Sequence, residues 1–276
     1  MASEVAFLGM SGTASMQPPS PRCRTQWLGI SVLLLTCSFG YAQQNPSEHK
    51  NPARSEAASN LSHVRELIQQ GQFEQAKSLI EDQLKVRPSD VEAYNLLGIV
   101  ETNEKNYSQA EEAFQQALHI DPGSKTTHNN LGNLYVAQQK LDLAEREFNT
   151  VLKSAPANRD ANYNLGLLLM AKGSPLLAIP HFQQIHPQTV ETHFNIVRGY
   201  FAAGNTTQAL AQARQLSAAH KQDVQLHFTL GLVLAAAKQY RAAQLELEQA
   251  NALHPETFEI LHNLGQAYLR GHGFGN

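Results

Sequence analysis

Twelve histidines make a metal site the first chemistry to consider. His128, His193 and His227 each stand three residues before a Leu-Gly or Ile-Val pair, and His181 and His186 lie five apart. A zinc ion needs its nitrogen ligands about 2 Å away and converging on one point. The first three histidines recur at equivalent places of a repeating chain, about a helix pair apart, and cannot converge. His181 and His186 straddle a predicted helix end, which is not a ligand pair. The two cysteines, Cys23 and Cys37, are both near the N-terminus and offer no thiol chemistry to the rest of the chain. Carboxylates such as Glu111-Glu112 and Glu246 with Glu248 are spread along predicted helix faces. There is no Gly-rich phosphate loop and no nucleophile elbow. The expectation is a chain without catalytic residues, bound metal or cofactor.

Other residues have the chemistry of contact. Asparagine precedes the Leu-Gly position at Asn130, Asn164 and Asn263, and precedes Ile196-Val197 at Asn195; the series skips Thr229. An amide both donates and accepts, so such a series can pair with an extended peptide backbone or with a neighbouring backbone of its own chain. Around it, the earlier residues are polar (Asn95, Thr102, Asn129, Asn133) and the later ones apolar: Tyr163, Leu167 and Met170, then Phe194 and Phe201, then Phe228 and Leu232. Arg198 sits among them. Aromatic and arginine side chains are the types that anchor protein partners; packing between adjacent helices is the other reading.

The elements that carry these residues repeat. Ala76, Ala110, Ala144 and Ala178 recur every 34 residues, as do Leu97-Gly98, Leu131-Gly132 and Leu165-Gly166, and Pro88, Pro122 and Pro156. A fixed period of this length means stacked copies of one small unit. In the unit 91–124, Tyr94, Leu97, Gly98 and Glu101 mark one face of a first helix, and Ala110, Phe114, Ala117 and Leu118 one face of a second. Asn103 to Asn106 breaks the two, and Asp121-Pro122-Gly123 ends the second. Gly98 and Ala110 belong where the antiparallel helices approach most closely, with Phe114 filling the space beside them.

Asn129-Asn130-Leu131-Gly132, Tyr135, Ala144, Phe148 and Pro156 resemble the signature of the tetratricopeptide repeat family. The resemblance implies an all-α, right-handed superhelical solenoid of antiparallel helix pairs whose first helices line a concave groove. Units fall at about 57–90, 91–124, 125–158, 159–189, 190–223 and 224–257, with a partial one at 258–270 and a tail at 271–276. The fourth is short, the deletion lying near Ile185-His186-Pro187. The first and fifth are degenerate, with Val64 and Val197 where glycine is expected, and the fifth suggests a change of superhelical pitch. The last helix is apolar for a terminal one, which points to a fragment of a longer chain or to a tail that meets a partner.

Arg22 and Arg24, a short apolar run at 27–39, and Gly40-Tyr41-Ala42 read as a secretory signal peptide cleaved after Ala42. Start codons at Met10 or Met16 would shorten it, and an uncleaved membrane anchor is the alternative. Residues 43–56 read as a flexible tether. The chain is similar to exported bacterial proteins of the family, and a periplasmic or secreted location is expected. A net charge of −3 without a basic stripe speaks against nucleic acid.

The implied function is a non-enzymatic scaffold that binds a protein or peptide in its groove through Asn130, Tyr163, Asn164, Leu167, Phe194, Asn195, Arg198, Phe201, Phe228 and Leu232. The Asn series is similar to the ladder in the repeats of O-linked N-acetylglucosamine transferases. A carboxylate clamp, as in some family members, is not expected, because Asn129, Asn133 and Asn164 stand beside Glu191 without lysines. The rival reading is a targeting or regulatory portion of a larger envelope enzyme, such as a glycosyltransferase or peptidase.

Overall fold

The computed structural model describes residues 52–271, which form thirteen α-helices and, among the described residues, no strand. The signal and most of the tether lie outside the described residues. First and second helices alternate. The pairs are α1 (Pro52–Gln69) with α2 (Phe73–Val86), α3 (Val91–Asn103) with α4 (Tyr107–Ile120), α5 (Lys125–Ala137) with α6 (Leu141–Ser154), and α7 (Arg159–Ala171) with α8 (Pro175–Gln183). They continue as α9 (Val190–Ala202) with α10 (Thr206–Ala219) and α11 (Val224–Ala236) with α12 (Tyr240–Leu253), and α13 (Phe258–Gly271) follows. The start of α1 at Pro52 makes the last residues of the stretch read as a tether helical.

Local chemistry at the helix ends repeats with the period. Asp90, Ser124, Asn158, Thr189 and Asp223 each cap the N-terminus of a first helix, their side-chain oxygens accepting backbone N–H groups that the helix leaves unpaired. The second helices whose N-caps are defined have no such side-chain cap. The turn inside each pair needs one left-handed residue, supplied by Gly71, Lys105, Gln139, Gly173, Gly204 and Lys238 in chain order.

Packing within a pair depends on size matching. A Cβ on Gly98 would lie 2.5 Å from the Phe114 ring, and Gly132 stands in the same relation to Phe148, Gly166 to Phe182 and Gly231 to Leu247. In each case the large residue follows the glycine by sixteen positions. The fifth unit inverts the sizes: the first helix has the fully buried Val197, and the position sixteen on is Ala213. The first unit has Val64 and Ile80, both fully buried. What reads in the sequence as wear is therefore an exchange of volume between facing positions, the kind of swap a core tolerates.

The fourth unit differs more. Its second helix, α8, has 9 residues where the other second helices have 14, and the chain reaches α9 through a cis His186–Pro187 peptide. Buried apolar residues fall into three clusters that follow the chain: one over α1–α3, one over α4–α9 and one over α9–α13. The last two divide at Ile196 and Val197 within α9. On α13, Gly265 has nothing within 4 Å where a Phe ring or Leu247 fills the other glycine sockets, and Phe258 and Leu269 are 75% and 62% exposed.

Two stability experiments follow from the socket. Val197→Gly and Ala213→Phe are each expected to destabilise, by about 1–3 kcal/mol, whereas the double variant recovers most of the loss through a coupling of about 0.5–3 kcal/mol. Urea unfolding of the four proteins measures this, and strict additivity would show that the two positions do not share a volume. Gly132→Ala should destabilise by about 1–3 kcal/mol through overpacking against Phe148. Gly265→Ala, in open space, should be neutral or stabilising by up to about 1 kcal/mol.

Candidate peptide-binding face

First helices meet along one side of the array. α1 touches α3, α3 touches α5, α5 touches α7, α9 touches α11 and α11 touches α13, and successive second helices make no comparable contact. Elements that touch on one side and splay on the other curve toward the touching side, so the first helices form the inner face. The row is interrupted once: the backbones of α7 and α9 barely approach, because the short α8 lets α9 pack against α8 instead.

Polar side chains lace the early part of this face. Asn95 donates from Nδ2 to the Thr127 hydroxyl at 2.8 Å and to its own helix at the Val91 carbonyl. Asn130 donates to Asn95 Oδ1 at 3.1 Å, and Asn129 reaches Asn158 Oδ1 at 3.4 Å. The amide of Asn130 is thus spent on the preceding first helix. Asn195 is buried and its amide lies near the Tyr163 hydroxyl, countering part of the rise in its pKa. Asn263 donates to the Glu259 carbonyl of its own helix at 2.7 Å. Of the series expected from the sequence, half-buried Asn164 alone has no hydrogen-bond partner among the described residues. The members of the series face different neighbours within the chain.

Side chains bridge the gap between α7 and α9 where backbones do not. The Tyr163 hydroxyl donates to Glu191 Oε1, and the Tyr163 ring meets Phe182 edge-on at 6.1 Å between centroids. Burial pushes the Tyr163 phenol well above its ordinary value near 10, and the Glu191 carboxylate adds to the shift by accepting its proton in a hydrogen bond. Arg198 is exposed on α9 and opposes that shift weakly. Leu167 and Met170 are half-buried against the central cluster, and Phe194, Phe201 and Phe228 against the C-terminal one; Leu232 is half-buried as well. These side chains pack on the core, as the packing reading expects, and each keeps part of its surface exposed.

One recurrent contact is absent from the sequence reading. His128 Nδ1 lies 2.7 Å from Glu147 Oε2, His227 Nδ1 lies 2.7 Å from Glu246 Oε2, and His181 Nδ1 lies 2.9 Å from Asn162 Oδ1. Every pair is 19 residues apart and joins the first helix of a unit to its second. In the fourth unit the roles are exchanged, with histidine on the second helix. The histidines are polar staples, and the legible signal was the fixed 19-residue offset. Among the described residues no group of three His, Cys, Asp or Glu side chains could hold a metal ion.

The buried phenols set an alkaline limit. Tyr135, buried and donating to Glu111 Oε1 at 2.9 Å, is pushed up like Tyr163. A folded-state pKa above the unfolded one contributes stability that is intact below the unfolded value near 10 and is lost as pH rises toward the folded value. The urea midpoint is expected to fall from about pH 10 upward, and Tyr163→Phe should flatten that fall. An identical pH slope in the variant would contradict the assignment.

Profiles of the tetratricopeptide repeat family match residues 61–125 and 194–243, and a second profile of the same repeat matches 102–168. No curated protein sequence matches the chain significantly. Among solved structures, PilW, a widely conserved type IV pilus biogenesis factor, is similar at 23% identity over 75% of this chain and 98% of that chain, with a TM-score of 0.60. PilF of Pseudomonas aeruginosa is similar at 19% identity over 78% and 99%, with a TM-score of 0.58. A chain of the APC/C hetero-tetramer Cut9–Hcn1 is similar at 18% identity over 76% of this chain, with a TM-score of 0.55, and this chain spans 42% of its length. At these identities the likeness concerns the fold. With two profiles of one repeat covering most of the array and the helix pairs stacked in its manner, the chain belongs to the tetratricopeptide repeat family.

Proposed function

We propose that the chain is a non-enzymatic scaffold that holds a segment of a partner protein along its inner face, centred on α7, α9 and α11. The observation that carries this reading is the interruption of the inner row at α7 and α9. The first helices on either side of that interruption carry Asn164 and Leu167 on α7, Arg198 and the partly exposed rings of Phe194 and Phe201 on α9, and that of Phe228 on α11. An unpaired amide, an arginine and half-buried aromatic rings are the chemistry of an anchoring centre. The tyrosine–glutamate bridge closes the floor of the gap and keeps Glu191 occupied. The occupant suited to this surface is an apolar segment whose backbone or polar side chains meet Asn164 and Arg198. The N-terminal residues support an exported location, with the array working outside the cytoplasm or tethered to a membrane. Among the described residues no helix is long and apolar enough to cross a membrane.

Site-specific photocrosslinking tests the reading. A benzophenone amino acid placed at Leu167, Arg198 or Leu232 is expected to give a discrete adduct with one partner in the native compartment. The same group at Glu112 or Leu176, on second helices, is expected to give none. Adducts of equal yield from both sets, or only from the second helices, would place the working surface elsewhere.

A further inference from the structure

A second surface has a chemistry of its own. The second helices α4, α6 and α8 each close on the first helix that follows, but α10 meets α11 at only a few points. Between α10 and the start of α12 this leaves an open cleft of about 520 Å³, within the size range of binding pockets. Its floor is apolar: Leu234 is buried, Leu210 is half-buried, and Leu245 is exposed at the edge. Its rim carries Arg214 from α10, Lys238 from the α11–α12 turn and Arg241 from α12. All three are exposed, and none has an ion-pair or hydrogen-bond partner among the described residues. The one carboxylate at the cleft, Glu246, is held by His227 at 2.7 Å. Three lysines elsewhere in the array pair with acids (Lys77 with Glu101, Lys85 with Asp82, and Lys172 with both Asp142 and Glu145); what sets the cleft apart is that its three unpaired cations surround one apolar depression.

We infer that this cleft is a second docking site, on the second-helix side, for an acidic segment of a partner protein that carries an apolar anchor. Three unpaired cations around a single apolar depression complement one leucine-like or phenylalanine-like side chain flanked by carboxylates. The apolar side chain fills the floor and the carboxylates meet the rim. A phosphate backbone is a poorer complement, because it asks for cations spaced along a track and has no use for the floor. The site is separate from the inner face, so an array engaged along α7, α9 and α11 can hold a second segment here. Rim charges of this kind contribute mainly to encounter and selectivity, with the anchor supplying the hold.

Fluorescence anisotropy with the full chain tests the inference. The probe is a labelled peptide of two leucines flanked by glutamates; its counterpart has lysines in place of the glutamates. The acidic peptide is expected to bind and to weaken about tenfold or more when salt is raised to about 0.5 M. The Arg214→Glu, Arg241→Glu double variant should weaken it by at least about tenfold, and the Leu245→Asp variant similarly. Lys153→Glu, a charge reversal at an exposed lysine on α6, should leave it unchanged. Equal binding of the lysine peptide, loss of binding with Lys153→Glu, or no detectable binding of the acidic peptide overturns the proposal. So does a rim-dependent preference for a single-stranded oligonucleotide, or a rim-dependent self-association of the chain in sedimentation.

Discussion

Two antiparallel helices can come close enough for a large apolar side chain to fill the space against the facing backbone only if that backbone offers no Cβ at the contact. This is the constraint from which the rest of the array follows. Gly98, Gly132, Gly166 and Gly231 create the space, and Phe114, Phe148, Phe182 and Leu247 occupy it. The contact fixes the distance within each pair, and the pair then presents fixed outer faces to its neighbours. Hydrogen bonds add alignment: the staples 19 residues apart hold first to second helix at 2.7–2.9 Å in three units. Because each unit is completed only by the next, stability is shared along the array.

The surfaces available for function arise where this regularity is relaxed. A five-residue-shorter second helix in the fourth unit (9 residues against 14) moves α9 away from α7. The gap is bridged by side chains, Tyr163 to Glu191 and Asn195, and the buried core divides at the same place. One unit later α10 stands away from α11, opening the cationic cleft on the opposite side. A regular array would have closed both. The two irregularities lie one unit apart and on opposite sides of the array.

Much of the architecture was legible because it depends on spacing. Glycine, aromatic and proline positions recurring every 34 residues specify the helix pairs, and the short fourth unit is visible as a shift in that count. The capping series Asp90, Ser124, Asn158, Thr189 and Asp223 was also there to be read. Val197 misled, since a glycine replaced by valine looks like decay until Ala213 is seen at the facing position. The partners of the asparagine series were not legible for a different reason. Identical residues at identical positions look like a uniform device, but an amide bonds to whatever the neighbouring unit offers. For Asn130 that is Asn95, and the amide of Asn195 lies near the Tyr163 hydroxyl. The histidines show the same lesson in reverse, since their partners sit on the other helix of the pair.

In the proposed function the working surface is the inner row of first helices, broken between α7 and α9. Hydrogen–deuterium exchange on the chain bound to its crosslinked partner addresses this directly, since partner contact and its effect on each helix are read in one experiment. Exchange is expected to slow in α7, α9 and α11, most on either side of the gap, with α4, α6 and α8 unchanged. Protection confined to the second helices, or spread evenly over all pairs, would contradict it.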